Sequence, residues 1–169
     1  KSADSIVKEL SSQNDEVNKS TRGKIVFFNF ASTDLADHIG GYSTPEYLEA
    51  VIQADAFVYA VFDTFQRELP EELINVTTFI VTSDHGVLKF GGHGGASVSE
   101  AYVPIFLWGS GIVRGQSGPP LGTLDSKSGY PILLNQVDIC TLIAGLLGIR
   151  IPTNSMVGRR FSKYKQVLF

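Results

Sequence analysis

Two strand-like runs bracket one long stretch of helical period and end in the same chemistry. Lys24-Ile25-Val26-Phe27-Phe28-Asn29-Phe30-Ala31 leads into Ser32-Thr33-Asp34-Leu35-Ala36-Asp37-His38, and Val76-Thr77-Thr78-Phe79-Ile80-Val81 leads into Thr82-Ser83-Asp84-His85-Gly86. Between them, Ser43-Thr44-Pro45-Glu46 has the order cap residue, proline, acid that opens a helix. From Tyr47 to Leu69 the apolar residues Leu48, Val51, Ile52, Ala56, Tyr59, Ala60, Phe62 and Phe65 recur near the helical period, so one side is expected to pack on a sheet. Pro70 and Glu71-Glu72 close the element. Strand, helix, strand in this order predicts a right-handed crossover between parallel strands. Both Asp/His stretches, read as loops, would then lie at one sheet edge, where open α/β sheets bind ligands.

The nearly unbroken apolar character of 24–31 reads as a strand covered on both faces. Val103 to Trp108 reads as a further strand with Pro104 near its start. Asn135 can cap a last helix, Gln136 to Leu147, with Gly148 at its end and Pro152 soon after. Residues 1–22 form a polar N-terminal segment, and 113–130, rich in Gly, Ser and Pro, a surface loop. The expected architecture is α/β, one domain over 1–169, with a mostly parallel sheet and helices on both faces. A hydrophobic content of 43% suffices for a core, and a net charge of −3 without a basic cluster excludes an electrostatic nucleic-acid binder. The apolar run Ile139 to Ile149 is shorter than a bilayer span, and Cys140 within it is expected to be a buried small hydrophobe. The chain begins at Lys1 without a methionine, which points to an excised piece. The sequons at Asn18 and Asn75 matter only in a secretory compartment.

The chain has three histidines. His38 and His85 follow the two strand-like runs, and His93 sits in Gly91-Gly92-His93-Gly94-Gly95, where glycines permit φ > 0 and close approach of the backbone to an ion. Asp-His pairs and glycine loops also occur as ordinary turns. All three histidines lying beside Asp or Gly after such runs shifts the balance to a metal site. The candidate ligands are Asp34, His38, Asp84, His85 and His93. Carboxylate and imidazole without thiolate suit zinc, manganese or iron better than calcium. Five ligands are more than one catalytic zinc needs and fewer than two enclosed ions require. A pair of ions about 4 Å apart would clamp a phosphoryl group.

The order of these pieces resembles the alkaline phosphatase superfamily, and within it the GPI ethanolamine phosphate transferases, with type 1 the nearest pattern. The resemblance rests on Asp34 to His38 as a D-x-x-G-H-like segment, Tyr42-Ser43, Glu46-Tyr47-Leu48, Thr82 to Gly86 and Gly92-His93-Gly94. It continues through Ser99-Glu100, Pro104, Trp108 to Ile112, Asn135 to Ile139 and Pro152 to Ser155. It implies a partial alkaline-phosphatase-like fold, the C-terminal part of a larger catalytic domain. Asp34, His38 and His93 would match the ligands of one divalent ion, and Asp84 and His85 two ligands of a second, with zinc or manganese as the metal. The family's nucleophilic threonine and a further aspartate would lie upstream. The hydroxyls of Ser32, Thr33, Thr82 and Ser83 are read as satisfying nearby backbone groups. Asp37 stands where the family pattern has glycine, which either reshapes the loop or adds a carboxylate to the site. Ala96-Ser97-Val98 replaces a stretch expected to carry another histidine and a proline.

The implied reaction is transfer of phosphoethanolamine from phosphatidylethanolamine to a mannose of the GPI precursor, on the lumenal side of the endoplasmic reticulum. Its partners would be those two lipids and the remainder of the same enzyme, including a membrane-spanning part outside this chain. Two other readings stay open: a phosphodiesterase or pyrophosphatase with water as acceptor, and a metal-binding module without catalysis.

Overall fold

The computed structural model describes residues 23–112 and 134–155, together with Ser5 and Lys8. The expected loop 113–130, most of segment 1–22 and the tail beyond Ser155 lie outside the described residues. In chain order the elements are α1 (Ser32–Gly40), α2 (Pro45–Glu68), α3 (Glu71–Ile74), β1 (Thr78–Thr82), α4 (Val98–Ala101), β2 (Ile105–Gly109) and α5 (Asp138–Leu146). They fall into two compact units. One comprises Lys1–Asn75 with Thr82–Pro104, the other Val76–Val81 with Ile105–Phe169.

In the first unit α2 starts where the capping pattern predicts. Thr44 is extended, its Oγ1 accepts the Tyr47 amide at 3.3 Å, and Pro45 occupies the first turn. The Leu69 amide closes the last turn on Phe65 O, and Pro70 ends the element. The face it buries differs from the expectation. Ala50, Val61, Thr64 and Phe65 are buried, whereas Leu48, Val51, Ile52 and Tyr59 are exposed. The cause lies in residues 24–31, which carry no strand. A strand is held by a neighbour's ladder of hydrogen bonds. This run is instead anchored by Phe28, edge-on to Phe57 at 5.5 Å, and Phe30, stacked on the same ring at 5.6 Å. Ile25 and Phe27 point to solvent.

The Asp34–His38 stretch, expected as a loop, is helical. Leu35 and Ala36 favour helix, Ala36 is buried as α1 packs on α2, and Gly41 at φ 82° turns the chain while its amide bonds Asp37 O at 2.8 Å.

The sheet is a second correction. Among the described residues it has two strands, β1 beside β2. Ser110 N donates to Thr77 O at 2.9 Å, and Thr82 Oγ1 donates to Pro104 O at 3.0 Å. Partner numbers that fall as the first strand advances mean antiparallel pairing, not the expected parallel sheet. The segment 83–104 leaves the end of β1 and returns to the start of β2, so no crossover helix is required.

In the second unit Phe79 stacks on Trp108 at 5.2 Å. Helix α5 begins two residues later than expected and buries Asp138, Thr141, Leu142 and Ala144. Cys140 is exposed. It follows Asp138 by two positions, which turns it away from the stripe of residues three and four apart that the helix buries. No helix among the described residues is long and apolar enough to cross a membrane.

Thr44→Ala is expected to lower the chain's stability by about 1 kcal/mol, the usual cost of losing such a cap, with Thr44→Ser nearly neutral. Denaturant unfolding checks both, and equal losses for the two variants would remove the cap from this account.

Candidate metal centre

The five sequence-predicted ligands all belong to the first unit. Helix α1 places Asp34 and His38 at i and i+4, which puts both on one face. The chain leaving β1 brings Asp84 and His85, and the glycine-rich turn brings His93. Around that turn Gly91, Gly92 and Gly94 have φ of 94°, 92° and 105°, as the glycine pairs predict.

One oxygen organises the cluster. Asp34 Oδ1 faces three imidazole Nε2 atoms: His93 at 3.2 Å, His38 at 3.7 Å and His85 at 3.9 Å. His38 Nε2 and His93 Nε2 are 3.2 Å apart. The rings of His85 and His93 stack with centroids 3.7 Å apart. Asp34, His85 and His93 can present ligand atoms all within 4.8 Å of one another. Asp84 stands apart from this group. Its side chain is 85% exposed, its Oδ1 accepts the His85 amide at 3.1 Å, and its Oδ2 lies 3.7 Å from His85 Nε2.

These residues fit a divalent cation on two counts. Asp34 Oδ1 is shielded from solvent and takes no hydrogen bond. His85 Nδ1 lies 3.1 Å from Gly86 O, an acceptor only, so Nδ1 donates there, and in a neutral ring Nε2 is left as an acceptor facing the Asp34 carboxylate. Lone pairs facing a carboxylate repel unless a positive charge lies among them. A tetrahedron with metal–nitrogen arms of about 2.0–2.1 Å has edges of roughly 3.3 Å, which the 3.2 Å separations match and the 3.7 and 3.9 Å ones exceed.

The hydroxyls near the ligands are engaged with the backbone. Ser83 Oγ donates to His85 O at 2.7 Å and Thr82 Oγ1 to Pro104 O. Two carboxylates outside the ligand set shape the loops. Asp37 is fully buried, and its Oδ2 accepts the Gly92 amide at 2.8 Å. Glu100 is also buried. Its Oε1 accepts the Gly95 amide at 2.7 Å, and its Oε2 takes the amide and hydroxyl of Ser97 in a capping box for α4. The Ser97 hydroxyl, followed by the Gly95 amide, holds the Glu100 carboxyl below its ordinary value. Burial, then the negative charge of Asp37, pushes the Tyr47 phenol up. Asp37 was legible as a departure from the pattern, but not as a partner of an amide 55 residues away. Ser97 three residues before Glu100 was a readable capping box.

A carboxylate with convergent imidazoles, on a scaffold of helices and a glycine-rich turn, is a group that could hold a divalent metal ion. Residues 2–96 match the model of type I phosphodiesterase / nucleotide pyrophosphatase, and the chain belongs to that family. It is 30% identical over 141 residues to GPI ethanolamine phosphate transferase 1 of Homo sapiens, covering 79% of this chain and 15% of that protein. To the protein of the same name from Emericella nidulans it is 32% identical over 170 residues, covering 89% and 17%. For Saccharomyces cerevisiae the figures are 25% over 140 residues, 79% and 15%. The chain thus spans less than one fifth of the length of these relatives. No solved structure matches it.

Because the folded Glu100 value is depressed, its contribution to stability is fully present above the ordinary carboxyl value of 4.5 and is lost as pH falls through the depressed value. Glu100→Gln is therefore expected to lower the melting temperature at about pH 7, with the gap to the parent narrowing at about pH 3. A gap of equal size at both would contradict this origin.

Proposed function

We propose that this chain supplies the metal-holding part of a phosphoethanolamine transferase acting in GPI-anchor assembly, moving phosphoethanolamine from phosphatidylethanolamine to a mannose of the glycolipid precursor. The observation that carries the reading is the convergence of three imidazole Nε2 atoms on Asp34 Oδ1. The names of the relatives support this substrate class among the reactions such a site could serve.

Two divalent ions, zinc or manganese, are proposed. Asp34, His38 and His93 would hold one, and Asp84 and His85 the other. His85 Nε2 stands between the groups, 3.9 Å from Asp34 Oδ1 and 3.7 Å from Asp84 Oδ2. Bound there, the ions neutralise charge on a phosphoryl group and orient its oxygens. The chain's own residues do the holding. Helix α1 fixes Asp34 and His38 one turn apart, the Gly86 carbonyl keeps the His85 proton on Nδ1, and the glycine turn lays His93 against both. The hydroxyl that first receives the phosphoryl group is proposed to come from sequence outside this chain, which agrees with the engagement of Thr82 and Ser83 by carbonyls. The proposed setting is the lumenal face of the endoplasmic reticulum, with membrane attachment supplied by the rest of the enzyme.

The test is transfer of labelled phosphoethanolamine from phosphatidylethanolamine to a mannosylated glycolipid by the full polypeptide as its source makes it. Activity lost to a chelator and restored by zinc or manganese is expected. Asp34→Ala and His93→Ala should each weaken zinc binding by at least the roughly 10–100-fold typical of lost outer-shell partners. Cleavage of a simple aryl phosphodiester to water, with no transfer to the glycolipid, would replace this reading with the phosphodiesterase one. Tight zinc binding without turnover of either substrate would leave a binding module.

A further inference from the structure

The residue before the His93 turn's closest neighbour on α1 is not a ligand, yet it is the most deeply buried charged side chain among the described residues. Asp37 is fully buried, and it sits between Asp34 and His38 in sequence. Its side chain and its backbone carbonyl both lie against the turn that carries His93, while the carbonyl also accepts the Gly41 amide. Oδ2 accepts the Gly92 amide at 2.8 Å. Its backbone carbonyl lies so near Gly91, at φ 94°, that a Cβ there would stand 2.7 Å from the oxygen. On the other side of His93, the Gly95 amide donates to Glu100 Oε1 at 2.7 Å. The same Glu100 offers its carbonyl to the Gly86 amide at 2.7 Å, next to His85. The imidazole of His93 is thus suspended between two amides, each bound to a buried carboxylate on a different helix.

We infer that Asp37 and Glu100 are positioning residues that hold the His93 turn, with Asp37 tying it to the helix that bears Asp34 and His38. A glycine turn is conformationally free. A carboxylate that accepts a backbone N–H is stronger than a neutral acceptor and has a defined direction. Gripping residues 92 and 95 removes the turn's freedom on both sides of the ligand, so the 3.2 Å approach of His93 Nε2 to Asp34 Oδ1 is set before any ion arrives. Partners of this kind, one layer out from a metal, ordinarily change its affinity by about 10–100-fold. The inference rests on the metal reading above and adds to it the residues that fix the geometry.

The experiment uses the full polypeptide as its source makes it, with zinc alone as the probe. Zinc affinity is measured by competition with a chromogenic chelator, and hydrogen–deuterium exchange is followed by mass spectrometry over peptides covering 88–96. Asp37→Ala is expected to bind zinc about 10–100-fold more weakly and to exchange faster across the turn even without zinc. Asp37→Asn keeps an oxygen for the Gly92 amide and should recover most of the affinity and the protection. Glu100→Ala should speed exchange in the same peptides, and Glu100→Gln should restore it in part. A parent protein that does not bind zinc would end the metal reading, while the exchange results without zinc would still judge the grip. A parent that binds, with Asp37→Ala equal to it in affinity and exchange, would overturn the grip alone. So would Asp37→Asn no better than Asp37→Ala, or an Asp37→Ala protein that unfolds throughout, since a general structural role predicts both.

Discussion

Three imidazole nitrogens turned toward one shielded carboxylate oxygen cannot rest as neutral lone pairs. Asp34 Oδ1 is closed to water and has no hydrogen bond, while His93, His38 and His85 surround it at 3.2–3.9 Å. A buried acceptor without a donor is costly, and His85 cannot supply a donor while its proton faces Gly86 O. A proton on the Nε2 of His93 or His38, or a cation among the ligand atoms, resolves the conflict. A cation can engage Asp34, His85 and His93 together, since their ligand atoms all lie within 4.8 Å of one another.

The rest of the first unit can be understood as the support of that cluster. Sites carried on regular elements are placed more exactly than sites on loops, and Asp34 and His38 gain this from α1, whose packing on α2 buries Ala36. The other two imidazoles lie on the connection between β1 and β2, which lacks that advantage. Its order comes from backbone donors matched to carboxylates and carbonyls: Gly92 to Asp37, Gly95 and Gly86 to Glu100, and the turn closed by Leu88 N to Gly92 O at 3.1 Å. A glycine chain that would otherwise sample many states is therefore confined to one by three amides.

The glycine turn and the gathering of Asp34 with the three histidines were legible because they depend on φ and on side-chain chemistry, which are local. Helix α2 was legible for the same reason: Thr44 and Pro45 declare its start without reference to anything distant. What was misread depended on partners. Residues 24–31 have the composition of a central strand, but composition does not supply a neighbouring ladder, and Phe28 and Phe30 of the run pack on Phe57 instead. The antiparallel pairing of β1 and β2 followed from where 83–104 returns, which hydropathy does not encode. Cys140 was misplaced because the last helix buries a stripe beginning at Asp138, a polar residue that an apolar count passes over. The helical state of 32–40 was hidden by its mixed composition, although Asp34 and His38 four apart were a sign of it.

Asp37 shows how the two kinds of reading combine. At the level of sequence, an acid in place of glycine left two alternatives, a reshaped backbone or an added ligand. The helix disposes of the first, since residues 32–40 have no positive φ that glycine would be needed for. The second is answered by a contact to the backbone: Asp37 is fully buried, and its Oδ2 accepts the Gly92 amide. An acid at this position is therefore compatible with an unchanged ligand set, and its charge is directed at the backbone of the turn. That division within five residues, Asp34 and His38 beside the other histidines and Asp37 bonded to the turn, depends on the chain there being a helix and would be lost in the loop that the sequence first suggests.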